Sequence, residues 1–147
     1  MRKTVLATLC IGLLAVSAFP FRMGLEFGVY STPTVGLNLR VIDFIEVKPQ
    51  LGFLFSDDYN SFTLGTDVNF YLPQIGDLQH YAGPGIGFNV NTDDSDFQLD
   101  GHYGLRYDFN EVLSAFGQIG FTMGFDPLIF ASSRAGLGLT VYFPNFQ

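Results

Sequence analysis

Hydrophobic and polar residues alternate with period two in eight successive segments, over residues 24–30, 34–41, 47–55, 62–72, 80–90, 97–107, 113–125 and 134–143. Strict alternation is the signature of a β-strand with two chemically different faces. In the second segment Val35, Leu37, Leu39 and Val41 share one face, and Gly36, Asn38 and Arg40 share the other. In the fourth, Phe62, Leu64, Val68, Phe70 and Leu72 oppose Thr63, Gly65, Asp67, Asn69 and Tyr71. In the last, Ala135, Leu137, Leu139, Val141 and Phe143 oppose Arg134, Gly136, Gly138, Thr140 and Tyr142. The connections at 31–33, 42–45, 56–61, 73–77, 91–96, 108–111 and 126–132 are polar or turn-rich and short enough for hairpins. Successive strands are therefore expected to be antiparallel neighbours, and eight of them close most simply into an up-and-down barrel.

Alternation alone does not say which face points outward. A soluble barrel shows its polar face to water, and a membrane barrel shows its apolar face to lipid. Composition separates the two. Charged residues are 14% of the chain, against about 25% in ordinary soluble domains. The polar strand faces carry Gly, Asn, Gln, Thr, Tyr and isolated charges, not the dense Lys and Glu of a solvated exterior. This predicts an all-β, eight-stranded antiparallel transmembrane barrel with its apolar face outward. The inward polar network would then comprise Glu26, Asn38, Arg40, Lys48, Gln50, Asp67, Asp100, His102, Arg106, Gln118 and Arg134. With both termini at one end, Phe55, Phe62, Phe88, Phe97 and Phe125 gather at one rim, and Phe70, Tyr107 and Phe143 at the other. Two aromatic girdles around an aliphatic band are expected of a membrane barrel.

The first residues read as an export signal. Arg2 and Lys3 precede an apolar run over 5–16, and Val16-Ser17-Ala18 supplies a small-x-small cleavage site. The run is too short for a membrane helix, which needs about 20 apolar residues. Residues 1–18 are therefore expected to be a cleaved signal peptide and 19–147 the barrel domain. Cys10, the one cysteine, lies inside the signal, so the exported domain has no thiol chemistry. Five bases then remain against fourteen acids, an excess that excludes nucleic acid as a partner.

Residues 104–109, Gly-Leu-Arg-Tyr-Asp-Phe, leading into Leu113-Ser114-Ala115-Phe116, and the closing stretch Gly136 to Phe143 resemble the small eight-stranded outer-membrane barrels of Gram-negative bacteria, of the OmpA/OmpX type. The resemblance spans residues 23–143. It implies insertion by the barrel-assembly machinery, an outer-membrane location, and lipid and lipopolysaccharide as surroundings, with the barrel a monomer. The last strand ends in Phe143 like that family's assembly signal, except that Pro144-Asn145-Phe146-Gln147 follow it.

The function this points to is non-enzymatic: an integral barrel with a plugged interior, in envelope structure or surface interaction. By approximate hairpin register, Glu26 falls beside Arg40, Arg40 beside Lys48 and Lys48 near Asp67, a ladder of compensating charges. Two alternatives stay open, a lipid-modifying outer-membrane enzyme and a soluble periplasmic barrel for an apolar ligand. For the enzyme, His102 shares a face with Asp100, two residues away, a pairing able to orient an imidazole. Ser114, on the same face, falls nearer Arg106 than His102. The clusters Asp93-Asp94-Ser95-Asp96 and Ser56-Asp57-Asp58 lack calcium-loop spacing and read as solvated loop tips. No cofactor motif or metal-ligand spacing is present. Pro49 and Pro84 interrupt proposed strands, where a missing N–H must break the ladder or force a bulge.

Overall fold

Each alternating segment forms a strand, because Leu, Val, Ile and Phe on one side of a pleat suit an extended backbone. The computed structural model describes residues 22–30, 32–55, 60–92, 95–125 and 128–143. The export signal, Asp57, Asp58, Asp93, Asp94 and the four residues after Phe143 lie outside them. The strands are β1 (Arg22–Val29), β2 (Pro33–Ile42), β3 (Ile45–Phe55), β4 (Asn60–Tyr71), β5 (Leu78–Asn91), β6 (Ser95–Asp108), β7 (Leu113–Phe125) and β8 (Leu128–Tyr142). Every strand pairs antiparallel with its sequence neighbours, and β1 pairs with β8 to close the barrel. Arg22 and Phe143 lie at the same end, where Phe143 N–H donates to the Met23 carbonyl at 2.8 Å.

Two strand boundaries differ from the sequence reading in ways that matter. A two-residue turn at Asp43-Phe44 lets β3 begin at Ile45, which brings Glu46 into the sheet. β8 begins at Leu128, so most of the segment read as a loop over 126–132 is strand, with a register shift opposite Gly120 and Phe121. At the β4–β5 turn Gly76 adopts a φ of 61°, a left-handed conformation open to glycine at little cost.

Both prolines are accommodated by skipping pairs on one side only. Pro49 stays paired with Thr66 on β4, while the β2–β3 ladder jumps from Gly36↔Gln50 to Leu39↔Val47. Pro84 stays paired with Gly101 on β6, while the β4–β5 ladder jumps from Asp67↔Gly85 to Phe70↔Ala82 in unchanged register. Pro84 thus makes a local break and no bulge. Next to it a Cβ on residue 83 would drive into the Val68 carbonyl, so Gly83 permits β4 and β5 to approach there.

The apolar face is on the outside. Leu137 is 69% exposed and Ile119 66%, a surface that needs hydrocarbon around it. A soluble ligand-binding barrel would carry this face inside, so that alternative is overturned by the geometry. The inside holds few hydrophobic groups: among the described residues only Tyr81, Phe116 and Tyr142 are buried apolar or aromatic side chains. Phe55, Phe62, Phe88, Phe97 and Phe125 face outward near the β3–β4, β5–β6 and β7–β8 connections, which we term the loop end. Phe88 pairs with Phe97, whose ring centroid is 5.9 Å from that of Phe125. Phe70 and Tyr107 face outward toward the terminus end, and Phe143 follows β8 there.

A Leu137→Arg substitution is expected to destabilise the barrel by about 2–4 kcal/mol, and Phe55→Arg at the rim by about 0–1 kcal/mol. Reversible urea unfolding in lipid vesicles measures both. A fluorophore on residue 137 should be quenched strongly by brominated lipid, and one on residue 63, which faces inward, weakly. Equal quenching would contradict the outward assignment.

Candidate functional site

Inward positions from all eight strands converge on a narrow lumen, and long charged side chains cross it. At the terminus side of its centre Arg106 on β6 is 1% exposed. Its Nη1 donates to Glu46 Oε2 at 2.8 Å, to the Tyr142 hydroxyl at 2.6 Å, and to the Tyr71 hydroxyl. Its Nη2 reaches Glu46 Oε1 at 3.4 Å and Glu26 Oε2 at 3.5 Å. Glu46 also accepts from Asn69 Nδ2 at 2.9 Å and the Tyr71 hydroxyl at 3.2 Å. In the next layer Lys48 Nζ lies 3.0 Å from Glu26 Oε1 and 3.5 Å from Asp67 Oδ2, and donates to the Tyr30 hydroxyl at 2.8 Å. Toward the loop end Arg134 Nη1 lies 2.8 Å from Asp100 Oδ2 and 3.4 Å from Asp67 Oδ1.

These contacts join into one chain of alternating charge: Glu46, Arg106, Glu26, Lys48, Asp67, Arg134, Asp100. Every base in it sits between two carboxylates. The pattern is what burial demands, since an unpaired ion in a low-dielectric interior carries a large desolvation cost. The remaining oxygens are held by neutral donors. Asn38 Nδ2 reaches Glu26 Oε2 at 3.1 Å, Tyr30 donates to Glu26 Oε1 at 2.9 Å, and Thr122 donates to Asp100 Oδ1 at 2.6 Å.

All eleven residues of the sequence-derived network occupy inward positions, but their partners differ from those expected. Glu26 stands opposite Gly36, not beside Arg40, and it meets Lys48 and Arg106 across the lumen. Arg40 stands opposite Glu46, not beside Lys48. Its guanidinium stacks 3.9 Å from the Tyr71 ring centroid and donates to Gln79 Oε1 at 3.0 Å. The Lys48–Asp67 proximity is present. The ladder along adjacent strands is thus a zigzag across the barrel, because long side chains span a narrow lumen more readily than they lie along the wall. Gln118 accepts from the Tyr81 hydroxyl at 3.2 Å, and Gln50 Oε1 is buried without a hydrogen-bond partner among the described residues.

His102 pairs with Asn69 Oδ1 at 2.6 Å, not with Asp100, which is taken by Arg134 and Thr122. Ser114 stands opposite Asp108, well toward the terminus end, whereas His102 stands opposite Gly120. Among the described residues the structure therefore assembles no serine with His102. Among the described residues no cluster of three or more His, Cys, Asp or Glu is placed to hold a metal.

Glu46 is the network member that sequence reasoning missed. It fell between the predicted turn at 42–45 and the predicted strand at 47–55; continuing the alternation from Lys48 back by two positions would have placed it inside. Tyr71, Tyr81 and Tyr142 had the correct inward parity, but nothing in spacing alone shows that their hydroxyls or rings surround Arg106. Phe116 interrupts the polar inward face of β7 and packs 6.0 Å from the Tyr30 ring.

Solved structures that resemble this barrel include two bacterial proteins. The N-terminal β-barrel domain of Pseudomonas aeruginosa OprF matches over 84% of this chain and 96% of its own, at 19% identity and a TM-score of 0.62. Neisserial surface protein A, NspA, matches over 84% of this chain and 94% of its own, at 11% identity and a TM-score of 0.60. At these identities the likeness is one of fold, the small eight-stranded barrel to which the sequence resemblance pointed. No protein-family model matches the chain, and no curated protein sequence matches it.

Arg106→Met should destabilise the folded barrel by about 3–5 kcal/mol, because Glu46 and Glu26 then lose a buried partner. Adding Glu46→Met should restore part of the loss, with a coupling of about 0.5–3 kcal/mol in a double-mutant cycle. Urea unfolding of the four proteins in lipid vesicles gives the cycle. Strict additivity would mean that the two side chains do not act together.

Proposed function

We propose that the chain is a non-enzymatic integral protein of the outer membrane whose barrel is plugged. It acts in envelope structure or in surface interaction at its loop end. The observation that carries this reading is the alternating charge chain from Glu46 to Asp100, whose paired side chains cross the lumen below its loop end. A permeating ion would have to displace groups that are already neutralised and desolvated. An eight-stranded barrel offers little room for a path around them.

The non-enzymatic part of the reading is supported by how the reactive side chains are spent. His102 is buried in the lumen against Asn69 and out of reach of membrane lipid. The outward-facing His80 pairs with Tyr103, at 2.5 Å between Nδ1 and the hydroxyl. Among the described residues neither is hydrogen-bonded to a serine. The outer-membrane location follows from the exposed apolar wall taken with the export signal read at residues 1–18. Its surroundings would be outer-membrane lipid and lipopolysaccharide, and the barrel-assembly machinery would act on a last strand ending at Phe143. Closure leaves no free strand edge for another copy to extend, which supports a monomer.

Purified protein refolded into planar bilayers should show no stable ohmic pore. The same protein should fractionate with the outer membrane and migrate differently in a gel before and after heating. A reproducible large conductance would overturn the plugged barrel and make passive diffusion the leading function.

A further inference from the structure

Above the Arg134–Asp100 pair the lumen opens into a second kind of space. A cavity of about 450 Å³ lies inside the loop end of the barrel, lined by residues that include Thr34, Gln50, Thr63, Asn89, Gln98 and Thr122, with Tyr30, Asp100 and Arg134 among its walls. Its volume falls within the range of about 300–1,000 Å³ typical of small-molecule sites.

We propose that this vestibule binds a small, neutral, hydroxyl-rich molecule of the size of a single sugar unit. Charge is the first argument. The charged groups in its walls are already matched, Arg134 by Asp67 and Asp100, and Asp100 by Arg134 and Thr122. An ionic ligand would shed its water and find no free counter-charge. What the walls do offer is hydroxyls and amides, which both donate and accept. That complements a polyol.

The second argument is an unpartnered group. Gln50 is 6% exposed, and its Oε1 is buried without a hydrogen-bond partner among the described residues. A buried amide oxygen left unpaired is costly, and this one belongs to a side chain on the cavity wall. A turn of the terminal amide toward the cavity brings this oxygen to a ligand hydroxyl, and the hydrogen bond it then accepts removes that cost.

The third is the space itself, which exists because Gly52, Gly65 and Gly87 carry no side chains where three strands border it. A Cβ on residue 87 would meet nothing nearer than 3.9 Å, so that position takes a side chain without disturbing the wall. Gly87→Leu therefore projects a side chain into the vestibule from beside Asp100 and takes up part of the space a ligand needs.

The test is a titration of isotope-labelled protein in lipid nanodiscs with N-acetyl-D-glucosamine, followed by amide chemical shifts. Saturable shifts in the millimolar range are expected at Gly52, Thr63, Gly65, Asn89 and Thr122. D-glucosamine, a cation, and D-glucuronate, an anion, should bind more weakly. Gly87→Leu should abolish binding, and Gln50→Leu should weaken it about tenfold, the loss of one buried hydrogen bond. Heat-modifiable migration shows that each variant is folded; if Gln50→Leu does not fold, the wild-type titration and Gly87→Leu decide. No saturable shifts, shifts confined to the outer wall, equal binding of the charged sugars, or undiminished binding by Gly87→Leu would each overturn the proposal and leave a water-filled vestibule. Conductance plays no part in this readout, so it stands or falls separately from the plugged barrel.

Discussion

In hydrocarbon a peptide group has no water to bond, so each N–H and C=O in the wall must find its partner within the sheet. That requirement makes the pairing of β1 with β8, from Gly24↔Tyr142 to Val29↔Leu137, the contact on which the structure depends. Without it two strand edges would face lipid. It also explains the handling of the prolines. Each lacks one donor, and each loses pairing toward one neighbour while keeping it toward the other. The rest of the ladder is spared.

Closure at eight strands then dictates the interior. The lumen is wide enough for side chains and little more, so the residues inside leave water as completely as those of any protein core. Here that core is polar. Arg106, Lys48, Glu26, Glu46 and Asp67 are each at most 2% exposed, and burial of so many charges is tolerable only because they alternate. Three bases between four carboxylates give each cation two anionic neighbours. Tyr71 and Tyr142 supply further oxygens to Arg106. Beyond the Arg134–Asp100 pair the lining is mostly hydroxyls, amides and glycine, and a cavity of about 450 Å³ opens there.

Most of this was legible in the sequence as parity and little of it as partnership. Period two assigns each strand residue to the inside or the outside whatever the strand boundaries, so Gln118 and Arg134 stand on the inward face even though β8 begins before residue 134. Glu46 was lost through a boundary error of two residues at a turn. The pairing of His102 with Asp100 failed for a different reason. Residues two apart on a strand are separated by about 6.5–7 Å, whereas opposite residues on adjacent strands come within about 4.5–5.5 Å, so Asp100 was drawn to Thr122 and Arg134 instead. Contacts such as Arg106 with Glu46 join strands that are not neighbours, and no hairpin arithmetic contains them. They depend on the curvature of the closed wall.

The two faces also divide the task of specifying that wall. A slip of one residue between strands would turn the polar face into lipid and is forbidden outright. A slip of two residues keeps every apolar side chain outside, and the lipid-facing surface scarcely registers it: Leu137 and Leu139 would exchange places in hydrocarbon. Inside, the same slip moves a carboxylate by about 6.5–7 Å. Lys48 would leave Asp67 opposite it, and the zigzag would lose its alternation. A buried ion pair is a weak source of net stability, since desolvation cancels much of its attraction. It discriminates strongly between registers, however, because the desolvation cost is borne in each of them and the attraction is recovered in only one. The charge chain draws on β1, β3, β4, β6 and β8, so it ties together the registers of strands that share no backbone hydrogen bond. The apolar face selects lipid, and the buried charges select which barrel forms within it.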